Sequence, residues 1–185
     1  DSLKGTPERV AKMYIEEIFS GLNPKNKPKM ALFENKYQYN QMLVEKNITF
    51  YSNCEHHFVP IFGKAHVAYI SSGKVIGLSK LNRIVEYFGR RGAIQEQLTV
   101  AIQHAVDELI TDNKGVAVMI EATHNCVSCR GVKHRGASMK TAKLSGAFLE
   151  DGNARSEFYQ FVITYSDCGM GLSIVMKNKF IIFTI

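Results

Sequence analysis

At Ser79 the apolar period of this chain changes from two to nearly four, so the fold must combine sheet with helix. Before that point residues 42–51 and 62–70 are extended. The second stretch alternates Lys64, His66 and Ala68 against Ala65, Val67 and Tyr69 up to a turn at Ser71-Ser72-Gly73. Residues 75–78 are then expected to return as the second strand of a hairpin. Beyond the switch, Leu81, Ile84, Val85 and Phe88 form one helical face, with Ser79 placed to cap it. A glycine-bounded break over residues 89–92 leads to a second stripe, Leu98, Ala101, Ile102, Ala105, Val106 and Leu109, which stops near Asn113-Lys114-Gly115.

Upstream, Thr6-Pro7-Glu8 brings together a capping hydroxyl, a proline at the first helical position and an acid in the first turn. Val10, Tyr14 and Ile18 follow at four-residue spacing and Gly21 supplies the stop, predicting a helix over residues 7–20. Residues 116–120 are a β-branched strand and residues 153–162 a short final helix. The order helix, two or three strands, two helices, strand, loop, strand, helix predicts an α+β fold with a mainly antiparallel sheet packed against two helices. At 185 residues and 20.8 kDa one domain accommodates all of it, because a domain of this size buries roughly 70% of its unfolded-chain surface. There is no internal repeat.

With 45% hydrophobic and 22% charged residues the chain is far from the composition of disordered proteins. No apolar run approaches the roughly 18 residues of a membrane span, and nothing has the layout of a signal peptide. A soluble, cytoplasmic protein with no membrane partner is expected. The chain begins at Asp1, which leaves an upstream segment open. The net charge of +6 favours a polyanionic partner, nucleotide phosphate or nucleic acid, but the basic residues are spread out and fit a solvated surface better than a nucleic-acid stripe. Cys54, Cys126, Cys129 and Cys168 are too few and too unevenly spaced for a disulfide framework, so a reducing compartment with thiols free for metal fits best.

The densest chemical signal is Cys54-Glu55-His56-His57, where a thiolate and an imidazole three residues apart can close on one ion. A second cluster, His124-Asn125-Cys126-Val127-Ser128-Cys129-Arg130, follows the strand at 116–120. If the two meet, Cys54, His57 and one of Cys126 or Cys129 supply three soft ligands and leave a fourth position for water, the pattern of catalytic zinc; all four would make a closed structural site. Cys126 and Cys129 also form a C-x-x-C, yet the thioredoxin-like context of a redox pair is missing. His66 and His104 are expected to be structural, and His134 solvated.

At these residues the chain resembles GTP cyclohydrolase I, over roughly residues 3–162. The motifs are GTPERVAKMY from Gly5, EEIFSGL from Glu16, SNCEHH from Ser52, GLSKLNRIV from Gly77, QEQLT from Gln95, and the second cluster, which reads THNC from Thr123 and CRGVKH from Cys129. The resemblance implies a T-fold subunit, a toroidal homodecamer with active sites at subunit interfaces, and conversion of GTP to formate and 7,8-dihydroneopterin triphosphate, the first step of tetrahydrofolate and pterin biosynthesis. It implies one Zn²⁺ per subunit on Cys54, His57 and Cys126, an ion that lowers the pKa of bound water to about 7. His56 is implied as the proton donor to the opening imidazole ring and His124 as a second proton-transfer group, roles that suit a side chain titrating near working pH. Cys129 falls outside the ligand set and is expected to be a packed thiol.

The same resemblance puts Arg9, Lys12, Ser79, Lys80, Arg83 and Arg130 around the triphosphate. Helix N-terminal amides and arginine forks are suited to an anion of that kind. Ser79 is implied in the later sugar rearrangement as well. Gln95 and Glu96 match the guanine-reading pair, since a carboxylate accepts from both N1–H and the exocyclic amine of guanine. Gly92-Ala93-Ile94 departs from the bulkier residues usual before that pair. The domain is expected to span 1–162. Residues 163–185 form a tail unlike the family, with Cys168 and the β-prone run Phe180-Ile181-Ile182-Phe183. The competing readings are another T-fold enzyme acting on a pterin or deazapurine, and a zinc-stabilised nucleic-acid-binding module.

Overall fold

A computed structural model describes residues 1–163; Cys168 and the run at 180–183 lie outside the described residues. The chain opens with α1 (Thr6–Met13), which continues through a π-helical turn at Tyr14–Ile18. There follow β1 (Leu32–Glu34), β2 (Met42–Asn53), β3 (Pro60–Ile70) and β4 (Lys74–Ile76), and then the helices α2 (Leu78–Gly89) and α3 (Gln95–Leu109). The last elements are β5 (Gly115–His124), the short α4 (Asn125–Ser128), β6 (Met139–Leu144), α5 (Ala147–Glu150) and α6 (Gly152–Val162). This is the expected α+β arrangement.

Four strands make an antiparallel sheet in the order β2-β3-β5-β6. The strand period of two sorts its side chains onto two faces. Val67, Tyr69, Val116, Val118 and Ile120 face α2 and α3, where they bury Leu81, Ile84, Val85, Leu98, Ile102 and Val106. Ala68, Ala117 and Met119 face the other way, onto Phe148, Phe158 and Val162 of α5 and α6. His66 is buried on that second face and its Nδ1 accepts the Asn47 amide at 3.3 Å, a structural histidine as expected; His104 and His134 are exposed.

Three local expectations are corrected. β4 does not return on β3 but pairs with β1 in a separate two-stranded sheet, because both edges of β3 are already occupied by β2 and β5. The Asn35 side chain holds this arrangement, donating from Nδ2 to the Ser72 carbonyl at 3.0 Å. Second, α2 starts one residue before Ser79, with Gly77 at its N-cap and no side-chain cap, so Ser79 sits inside the first turn. Third, Gly5, in the left-handed region at φ 76°, precedes α1 in place of a Thr6 cap. The Thr6 hydroxyl accepts from Arg9 instead, at 2.8 Å.

Candidate active site

Sheet register brings the two distant clusters to one end of the molecule. Asn53 pairs with Pro60, and Ile61 of the same strand pairs with His124. Cys54 therefore leaves β2 close to where His124 ends β5. Cys54 continues the buried face of Ile48 and Phe50 and is only 5% exposed. A closed turn follows it: the Phe58 amide donates to the Cys54 carbonyl at 2.8 Å, and Asn53 Nδ2 donates to the Phe58 carbonyl at 2.8 Å. That turn carries His56 and His57 to the surface. His56 Nδ1 lies 3.6 Å from Cys54 Sγ, and the His57 ring stands 6.4 Å from the His56 ring.

From the other side β5 runs directly into α4, which presents Cys126. Cys126 packs against the core cluster to which Cys54 belongs. Burial, foremost, and the neighbouring Cys54 push the Cys126 thiol up, while Arg130 pulls in the opposite direction. Two thiols converging on one end of the sheet beside an imidazole are a donor set that suits a soft or borderline cation such as Zn²⁺. The third ligand is not gathered in: among the described residues no three His, Cys, Asp or Glu side chains form a cage.

His124 faces α3, on the same side of β5 as Val118 and Ile120. Burial pushes its imidazole below its ordinary value, and the Glu96 carboxylate opposes that shift. Its Nε2 lies 2.7 Å from Gln95 Oε1. Gln95 opens α3 and is 2% exposed, whereas Glu96 beside it points outward. Gly92, at φ 69°, supplies the left-handed residue that turns the chain from α2 towards this helix start.

The expected phosphate ligands are distributed. Arg130 acts on Cys126. Ser79 and Lys80 lie in the first turn of α2, with the Lys80 amide turned back onto the Gly77 carbonyl at 2.8 Å. Arg83, farther along α2, lines a cavity of about 520 Å³ with Glu16, Glu17, Glu86 and Arg90. Arg9 is folded back on the Lys4 and Ser2 carbonyls, and Lys12 faces Glu16 at 3.8 Å. Cys129 is exposed, not packed as expected. It ends α4, where its thiol donates to the Asn125 carbonyl at 2.9 Å.

Comparison with known proteins decides the relationship. The GTP cyclohydrolase I family matches residues 1–163. The GTP cyclohydrolase 1 of Flavobacterium johnsoniae is 52% identical over 162 residues, which cover 88% of this chain and 72% of that one. The chain belongs to the GTP cyclohydrolase I family. The Yersinia enterocolitica and Escherichia coli O1:K1 members are each 49% identical over 162 residues, covering 88% of this chain and 73% and 72% of theirs. A crystal structure of the archaeosine synthase QueF-Like in the apo form superposes with a TM-score of 0.48 at 18% identity, over 57% of this chain and 93% of its own.

As a member of the GTP cyclohydrolase I family the chain has the T-fold, and its antiparallel sheet backed by α2 and α3 is that architecture. Two residues of the site escape the sequence reading. Thr99, which is buried, and the half-buried Thr141 form a hydroxyl pair behind Gln95, 2.6 Å apart. A signal for Thr99 is present: Gln95, Thr99 and Gln103 recur every four residues on a helix whose other inward residues are apolar, and all three are buried. Thr141 carries none, because strand β6 is short and half exposed.

Proposed function

We propose that this chain hydrolyses GTP at purine C8, releasing formate and forming 7,8-dihydroneopterin triphosphate, with one zinc ion per subunit held by Cys54, His57 and Cys126. The observation that carries this reading is the convergence of Cys54 and Cys126 at one end of the sheet, in a chain 52% identical to a GTP cyclohydrolase 1. Zinc at that position would make a water nucleophile available near neutral pH. His56, exposed and within 3.6 Å of Cys54 Sγ, is free to deliver a proton to the imidazole nitrogen of the purine as the ring opens. His124 is the second proton-transfer group. Its burial favours the neutral ring, which can accept a proton.

Glu96 is exposed and accepts from the N1–H and exocyclic amine of guanine, a pair of donors that adenine lacks. Ser79, Lys80, Arg83, Arg9, Lys12 and Arg130 receive the triphosphate, and Ser79 also serves the sugar rearrangement. These groups would converge between subunits of a toroidal homodecamer. Three features support that assembly: α1 buries no residue within its own chain, the outer edges of β2 and β6 have no strand partner among the described residues, and Arg83 lies on α2 whereas Arg130 follows α4.

Incubation with GTP, with formate and an oxidisable fluorescent pterin followed as products and zinc measured on the same sample, tests the proposal. Cys54→Ser should lose both metal and formate release. Undiminished turnover in chelator-treated, metal-free protein would overturn the zinc assignment, and pterin formation from a substrate other than GTP would favour a different T-fold activity. Among the described residues no helix is long and apolar enough to cross a membrane.

A further inference from the structure

Both ends of the Gln95 side-chain amide are engaged within the protein. The two hydrogens of its Nε2 are shared among three acceptors, the Ile120 carbonyl at 3.2 Å, the Met139 carbonyl at 3.0 Å and Thr141 Oγ1 at 3.0 Å. Two carbonyl acceptors around that atom fix it as the amide nitrogen, so the atom facing His124 Nε2 at 2.7 Å is the oxygen. An amide oxygen can only accept. The proton between the two side chains therefore belongs to His124 Nε2, and in the neutral ring the lone pair is on Nδ1.

The hydroxyls behind Gln95 hold it in that sense. Thr99 Oγ1 has one hydrogen and gives it to the Gln95 backbone carbonyl at 2.8 Å. In the 2.6 Å contact between the two threonines, Thr141 must then be the donor. Thr141 in turn accepts from Gln95 Nε2, and the bonds run in one direction around a closed ring: Gln95 Nε2 to Thr141, Thr141 to Thr99, Thr99 to the Gln95 carbonyl. Reversing the Gln95 amide would aim its oxygen at two carbonyls and a hydroxyl already donating elsewhere. Gln95 and Thr99 are buried, so water cannot replace the lost bonds.

We propose that Gln95 is a positioning residue, which holds His124 as the Nε2–H tautomer with Nδ1 as its proton-accepting atom, and that base recognition falls to Glu96 without it. This rests on the reading of His124 as a proton-transfer group for GTP hydrolysis. Gln95→Leu should lower kcat by about a hundredfold, the scale on which misplacing a catalytic group acts, with KM for GTP within about twofold. The ratio of GTP to ITP turnover, which reports on the guanine 2-amino group, should stay at the wild-type value. Thr141→Val, which breaks the ring but leaves Gln95 its bonds to the Ile120 and Met139 carbonyls, should lower kcat in the same sense by a smaller factor, and it carries the test if Gln95→Leu does not fold. Long-range ¹H–¹⁵N correlation of the His124 ring should give the Nε2–H tautomer in the wild type and a mixture in Thr141→Val. A raised KM with unchanged kcat, a collapse of GTP over ITP preference, or an Nδ1–H tautomer in the wild type would each overturn the proposal. Absence of formate release from GTP in the wild-type protein would instead overturn the underlying functional reading, leaving the tautomer measurement to judge Gln95 by itself.

Discussion

The Tyr69 hydroxyl accepts the backbone N–H of Ile76 at 3.0 Å, tying the small β1–β4 sheet to the main one through a side chain. Both residues are buried. Tyr69→Phe leaves the ring packing in place but orphans a buried amide, at a cost of about 1–3 kcal/mol. A urea midpoint lowered without change in slope would fit. An unchanged midpoint would mean that the Ile76 amide finds water in solution.

The same hydroxyl makes stability fall in alkali. Burial, foremost, and the nearby Glu45 charge raise the Tyr69 pKa above its ordinary 10.0, while the bond to Ile76 lowers it. The folded state thus holds the phenolic proton more tightly than the unfolded chain does. The resulting stability is complete below pH 10 and is lost as pH rises through the raised value. Tyr69→Phe should remove that part of the alkaline loss, which is measured as the difference between the two proteins' denaturation midpoints from about pH 8 to about pH 11.

Glu45 faces the same interior with one oxygen stranded. Asn82 Nδ2 donates to Oε1, but Oε2 is buried without a partner. Burial raises this carboxyl from 4.5, and Asn82 only partly offsets it. The protonated form is favoured on folding, so its contribution is full below pH 4.5 and lost as pH rises through the folded value. Glu45→Gln keeps an acceptor for Asn82 and should be more stable than wild type near pH 7, with the advantage shrinking towards about pH 4. A difference that does not vary with pH would show that the carboxylate is solvated.

How far the sequence can be read depends on whether a signal is local. The period switch at Ser79 and the stripes from Leu81 and Leu98 locate α2 and α3 because each helix buries one face against the same sheet. The Cys54 and Cys126 segments reach one end of the sheet through the Asn53–Pro60 and Ile61–His124 pairings, which no local pattern states. The expected β3–β4 hairpin fails for the complementary reason: the turn at residues 71–73 is visible in the sequence, but occupation of the far edge of β3 by β5 is not. At the site, Gln95 is identified by its motif, while its partners Thr99 and Thr141 come from elements that meet only in the folded chain.

Gly21 sets how the N-terminal segment docks. Its amide donates to the Arg90 carbonyl at 2.8 Å and its carbonyl accepts from Arg91 Nε at 3.0 Å. A Cβ there would overlap the Tyr87 carbonyl oxygen and lie 2.7 Å from that of Arg90, both backbone atoms that cannot turn aside. Gly21→Ala should therefore lift residues 14–22 off α2 at a cost of roughly 1–3 kcal/mol. Faster amide exchange at Gly21 and Leu22, with the sheet unaffected, is the measurement. Unchanged exchange would mean that the backbone adjusts.

Val10 tests whether α1 belongs to an assembly. It is 43% exposed on a helix with no buried residue, and Met13 and Ile15 are exposed nearby. An apolar helix face of this kind is normally covered by something. If a second copy covers it, Val10→Asp places a charge in that interface while touching nothing in the subunit core. Sedimentation should then show smaller species than the wild type. The denaturation midpoint measured at a dilution where both proteins are monomeric should stay within about 0.5 kcal/mol, the usual range for a surface substitution. Identical sedimentation of the two proteins would instead make α1 a solvated helix and remove one of the three supports for a decamer.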